Sequence, residues 1–213
     1  MTLLRTCTNG SSELMSNISM SLVGMLYNIQ LLRYAGQDGV AAYGVMMYVN
    51  LMFLSVFIGY SVGTAPIVSY HYGAGNHKEL KGLLKRGLTI NIVSSIVMYV
   101  AARLLAKPLS MIFVGYDQAL MDMTVNGFKI YALLFVFAGV GIYGSGFFTA
   151  LNNGLVSAVI AFLRTIVFQV AAVIVLPLFL GLDGIWYSVT VAEGLAMIVT
   201  VVFLICQRKK YRY

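Results

Sequence analysis

Charge is scarce in this sequence. Only 10% of its 213 residues are Asp, Glu, Lys or Arg, while 60% are hydrophobic. A water-soluble domain carries about 25% charged residues, so this composition excludes one: too much apolar surface would face water. Acids are the rarer sign, seven against fourteen Lys and Arg. Cysteine is almost absent. Cys7 and Cys206 stand near opposite ends, which excludes a disulfide framework and a Cys/His metal spacing. His71 and His77 flank a glycine-rich turn and are expected as interfacial loop residues, not ligands. No phosphate loop, nucleophile–base pair or metal constellation is visible, so an enzyme is not expected and no cofactor is required. The opening MTLLRTCTNGSS lacks the continuous apolar core of a signal peptide. The triplets Asn9-Gly10-Ser11 and Asn17-Ile18-Ser19 are read as chance matches to a glycosylation signal.

What the sequence has is long hydrophobic runs, with a mean hydropathy of +0.88. A membrane-spanning helix needs roughly 20 mostly apolar residues. Gly, Asp and Lys/Arg punctuation divides the chain into six such helices, at about 12–32, 40–70, 88–105, 120–151, 155–180 and 185–206. Pro66 is expected to bend the second, Pro177 lies near the end of the fifth, and a short interfacial piece is expected from Pro108 to Tyr116. A basic amphipathic stretch, Lys78 to Arg86, precedes the third. The fold class is therefore all-α: an integral membrane bundle of six helices, one lobe over 1–213, its first partner the lipid bilayer.

The net charge of +7 sits in loops and in the tail, so it does not point to nucleic acid. With six spans, the N-terminus, the 2–3 loop, the 4–5 loop and the C-terminus share a side. That side holds Arg5, Lys78, Lys81, Lys85, Arg86, Arg208, Lys209, Lys210 and Arg212; the other holds Arg33, Arg103, Lys107 and Lys129 beside Asp38, Asp117, Asp122 and Asp183. The richer side is expected to be cytoplasmic. The expected location is the plasma membrane, multi-pass, with both termini inside.

Ionisable side chains within hydrocarbon are costly, so each is a functional candidate. Glu193 lies near the middle of the sixth helix, on a stripe with Trp186, Thr190, Met197 and Thr200. A carboxylate there can exchange a proton, hold Na⁺ or pair with an organic cation; the bland alternative is a tie to a neighbouring helix. Arg164 shares a face of the fifth helix with Ser157, Ala161 and Phe168. It is read either as a partner for Glu193 in a cavity or as a snorkelling or interhelical residue. The first helix carries the polar stripe Glu13, Ser16, Asn17, Met20, Gly24 and Asn28, the pattern of a cavity wall, although Glu13 also suits a helix N-terminus. Asn50, Phe57, Ser61 and Thr64 make a sparser stripe on the second. Asn91, Ser94, Ser95 and Gln169 are expected in helix–helix hydrogen bonds. Gly139, Gly141, Gly144 and Gly146 in the fourth helix are read as close packing, with a moving, bending segment as the alternative.

Four stretches carry a family likeness. They are residues 59–76 (GYSVGTAPIVSYHYGAGN) followed by basic residues; 21–28 (SLVGMLYN) with 40–44 (VAAYG); 147–154 (FFTALNNG) with Arg164 downstream; and 176–186 (LPLFLGLDGIW) followed by Ala192-Glu193. In this order and spacing the chain resembles the C-terminal lobe of the multidrug and toxic compound extrusion (MATE) transporters. The resemblance implies twelve helices in two six-helix lobes, and Na⁺- or H⁺-coupled export of small cationic, amphipathic compounds by alternating access. The chain supplies one lobe, and where some members carry an acid midway along the first helix it reads Ser19-Met20-Ser21-Leu22. Glu193 is the remaining candidate for coupling. The expectation is the C-terminal half of an antiporter, a fragment or truncated product whose partner is the missing N-terminal lobe or a second copy. A lipid-linked oligosaccharide flippase of the same superfamily, and a non-transporting membrane scaffold or subunit, are the alternatives.

Overall fold

A glycine at position 36 decides the first step of the topology. Its φ of 64° and ψ of −152° lie where a side chain is strained and glycine is not. The first helical stretch, α1 (Thr2–Gly73), breaks there into two arms, 2–35 and 37–73. On a continuous helix Tyr27 and Tyr43 would be about 24 Å apart. Their rings instead stack with centroids 5.3 Å apart, so the arms run back on each other as a hairpin. The computed structural model describes the backbone of residues 2–213 and the side chains of residues 19–213.

Side-chain caps set the helices that follow. Asn76 accepts from the Glu79 N–H and starts α2 (His77–Val114). Asp117 accepts from the N–H groups of Ala119 and Leu120 and starts α3 (Gln118–Tyr131). Such caps satisfy donors that the first helical turn leaves free. A bend of 45° separates α3 from α4 (Leu134–Ala150). Asn153 caps α5 (Gly154–Phe162), which continues through a π-helical segment, Leu163–Gln169, into α6 (Val170–Leu180). The last helix is α7 (Leu182–Tyr211).

Among the described residues, four helical stretches are long and apolar enough to cross a membrane, and α3 with α4 adds a fifth. One of the four, Ser19–Gly73, has 55 residues, about 80 Å if straight and far beyond a hydrocarbon core of roughly 30 Å. Its two arms must count separately, which gives six crossings. The chain is thus an all-α, multi-pass membrane protein. Exposed apolar side chains such as Leu104, Ile112, Leu178 and Phe179 suit hydrocarbon rather than water.

Two differences from the sequence reading concern α2. The stretch from Lys78 to Arg86, the third helix and the piece around Pro108 form one helix, not three elements. Backbone groups that a proline frees inside a membrane helix can find neighbouring partners. Asn91 and Ser95 also make no interhelical bonds among the described residues: Asn91 Nδ2 donates to the Gly87 carbonyl of its own helix, and Ser95 Oγ is buried without a partner.

The central element is α4, packed against α1, α2, α5 and α7. Its glycines let neighbours approach: a Cβ on Gly139 would overlap Ser95, one on Gly144 Thr200, and one on Gly146 Ser61. Close packing is therefore what three of the four glycines do; Gly141 faces open space.

Contacts at one end gather three connections. The Tyr72 and Tyr211 rings meet at 5.6 Å, Phe147 and Tyr213 at 5.4 Å, and Ser69 Oγ donates to the Ala150 carbonyl at 2.8 Å. The chain around 70–78, the α4–α5 turn and the C-terminal tail thus share one end. It carries the exposed Lys78, Lys81, Lys85, Arg86, Arg208, Lys209, Lys210 and Arg212.

Candidate functional site

The stripe on α7 faces inward. Trp186, Thr190, Glu193 and Thr200 are all buried, and Glu193 lies eleven residues into the helix, about 16 Å along it. That depth places the carboxylate near the middle of a bilayer. Its partner comes from the π-helical segment. Arg164 Nε donates to Glu193 Oε1 at 2.8 Å, and Arg164 Nη2 lies 2.8 Å from the same oxygen. Both contacts fall on one carboxylate oxygen. The other, Oε2, is buried without a hydrogen-bond partner among the described residues.

The π-helical turn explains how an arginine reaches this point. A π segment widens the helix by one residue per turn and shifts the faces beyond it, and such segments recur at functional sites. Here Arg164 and its neighbour Thr165 both line the interior. The guanidinium side chain keeps 22% of its exposure, whereas the Glu193 side chain keeps 5%.

The pair borders a cavity of about 390 Å³ between both arms of α1, α4, the α5–π segment and α7. Asn50 lines it too, and its Oδ1 is buried without a partner. Glu193, Arg164 and Asn50 are thus brought together. Asn28 is not: it is exposed, outside the cavity. Glu13 and Asn17 lie outside the residues whose side chains are described. On the first arm the buried line is Ser19, Val23, Tyr27 and Leu31, one residue off the polar stripe read from the sequence. Met20 and Gly24 of that stripe still touch the cavity. On the second arm Asn50, Phe57 and Ser61 are buried as a line.

One feature of the wall was missed. Ser145 and Thr149 of α4 and Ser157 of α5 form a hydroxyl cluster: Thr149 Oγ1 donates to Ser157 Oγ at 2.7 Å, and the Ser145 and Ser157 hydroxyls lie 3.1 Å apart. All three line the cavity. The available signal was the four-residue spacing of Ser145 and Thr149, which puts both on one helix face.

The MatE family model matches residues 14–175. Among curated proteins, the chain is 24% identical over 204 residues to the multidrug export protein MepA of Staphylococcus aureus (strain bovine RF122 / ET3-1), covering 94% of this chain and 44% of the relative. MepA of strain MRSA252 matches over the same shares. Among solved structures, a MATE protein in complex with MaL6 superposes with a TM-score of 0.91 at 19% identity, covering 100% of this chain and 48% of the other. An outward-facing multidrug resistance MATE family transporter of the MOP superfamily gives 0.91 at 18%, with the same shares. The chain therefore spans about half the length of the relatives it matches. Six crossings, one interior cavity wall and a family match over most of its length agree: the chain belongs to the MATE (MatE) family, whose members are transporters rather than enzymes.

Proposed function

We propose that this chain is one lobe, by its motif order the C-terminal one, of a two-lobe antiporter that exports cationic, amphipathic compounds in exchange for Na⁺ or H⁺. The observation that carries this reading is the Arg164–Glu193 pair on the cavity wall, with Glu193 Oε2 unpartnered. Arg164 neutralises the carboxylate through Oε1 alone. Oε2 remains as an acceptor toward which a proton, a Na⁺ ion or the N–H of an organic cation is drawn. These ligands compete for one oxygen, so binding one lowers the affinity for another. That mutual exclusion is the linkage an exchanger requires. Alternating access needs a second lobe, which the missing half, or a second copy, would supply.

The test is Glu193→Gln in a transporter that contains this lobe. The amide keeps the shape and still accepts from Arg164, but cannot exchange a proton or neutralise a cation. Ion-driven efflux of a cationic dye should fall by about tenfold or more, a loss of about 1.4 kcal/mol per decade, with expression and elution profile unchanged. Full coupled efflux by this variant removes Glu193 from the coupling role.

We further propose that the basic end lies in the cytoplasm of a plasma-membrane protein. Green fluorescent protein fused after Tyr213 should fluoresce, and alkaline phosphatase fused there should be inactive. The reverse pattern inverts the orientation.

A further inference from the structure

The cavity has two polar poles. Ser157 and Arg164 both line it and are seven residues apart along one span, a rise of about 10 Å. The rest of the lining is mostly apolar, with Leu54, Ile58, Val62, Ile160 and Ala161 facing the space.

The poles differ in what they lack. At the charged pole, Glu193 Oε2 and Asn50 Oδ1 are buried acceptors without a donor. At the hydroxyl pole the surplus is a donor. Three hydroxyls bring three protons. Thr149 points its proton at Ser157 Oγ, with the Ser145 carbonyl at 3.3 Å as a second acceptor, and one member of the Ser145–Ser157 pair donates to the other. The third proton, on Ser145 or Ser157, meets no further acceptor among the described residues. A hydroxyl in such a position is stabilised by any acceptor that enters the cavity.

Resting on the reading of this cavity as a cation site, we infer that the Ser145–Thr149–Ser157 cluster is its second anchor. It selects amphipathic cations that carry a hydrogen-bond acceptor, a carbonyl or ether oxygen, at the end of the apolar body away from the charged nitrogen. The charged nitrogen faces Glu193 Oε2 and Asn50 Oδ1, the apolar body lies along Ile58 and Ile160, and the far oxygen accepts from the hydroxyl pole. A cation without that oxygen fills the same space and leaves the donor unmatched.

Two dyes with one chromophore test this. Rhodamine 6G carries an ester on its pendant ring; the corresponding rosamine has the same xanthenium cation and no ester. Binding of each to the full chain in lipid nanodiscs is followed by fluorescence anisotropy, against empty nanodiscs. The wild-type chain should bind rhodamine 6G about three- to tenfold more tightly, the span expected of one hydrogen bond. The double variant Ser145→Ala/Ser157→Ala, which removes both hydroxyls able to carry the free proton, should bring the ratio toward one by weakening rhodamine 6G alone, and Ser157→Thr should keep the preference. Glu193→Gln should weaken both dyes alike. Equal affinity of the two dyes for the wild type overturns the second anchor and leaves the cation site standing. So does equal weakening of both dyes by Ser145→Ala/Ser157→Ala, which would make the cluster purely structural. If neither dye binds the wild type, the cation site itself fails, and the anchor with it.

Discussion

Replacing Arg164 with Leu should destabilise the lobe by about 3–5 kcal/mol, and adding Glu193→Leu should restore most of that loss. The asymmetry follows from desolvation. An ion pair in a low-dielectric interior repays little beyond the cost of removing both charges from water, but removing one partner leaves the other without compensation. Glu193 is the worse charge to strand. Its side chain keeps 5% exposure, and both of its ion-pair contacts come from Arg164. Arg164 keeps 22% and has a long stem with which to move its head toward water. Glu193→Leu alone should therefore cost less than Arg164→Leu alone. Unfolding in mixed micelles titrated with sodium dodecyl sulfate, together with the thermal midpoint on size-exclusion chromatography, measures all four corners of the cycle. Additive losses would show that the two residues do not form a pair in the membrane. A double variant near wild-type stability but without efflux would show that the charges serve function rather than folding.

The same pair shows how far the sequence could be read. Glu193 was legible because Trp186, Thr190, Glu193 and Thr200 repeat at helical spacing, and all four are buried. Arg164 was legible as its partner by scarcity alone, being the only basic residue deep in an apolar run. The π-helical segment that carries it was not, because a locally widened turn leaves no mark on hydropathy. The first arm's stripe was legible only in part: of its described members Met20 and Gly24 line the cavity and Asn28 does not. Polar residues mark a helix's inner face only weakly when hydrocarbon, not water, surrounds the outer one. There the stacking of Tyr27 on Tyr43 accompanies a buried line of Ser19, Val23, Tyr27 and Leu31, and Asn28 falls outside. The hydroxyl cluster was hidden because its members sit on two helices, and each serine or threonine alone is unremarkable in a membrane span.

Gly144→Ala should cost about 3 kcal/mol, at the upper end of what overpacking a filled interior costs, although it adds one methyl group and raises helix propensity. The new Cβ would overlap Thr200 Cγ2 and lie 3.5 Å from Leu204 Cδ1. Thr200 is fully buried, and its hydroxyl donates to the Ala196 carbonyl at 2.8 Å. A β-branched side chain held at its oxygen cannot swing its methyl aside without giving up that bond, so the helices themselves would have to separate. Thr200→Ser keeps the hydroxyl and deletes the clashing methyl, so Gly144→Ala with Thr200→Ser should recover most of the stability. Gly141→Ala is the control: nothing lies within 4 Å of a Cβ there, and its effect should be within about 1 kcal/mol of zero, on the favourable side if helix propensity dominates. The same comparison decides between packing and bending as the purpose of the glycines. If contact between α4 and α7 is what Gly144 provides, the thermal midpoint falls in Gly144→Ala, recovers in the double variant and is unmoved in Gly141→Ala. If backbone flexibility is what matters, Gly141→Ala and Gly144→Ala should impair efflux to a similar degree while both folds stay intact, and Thr200→Ser should rescue neither.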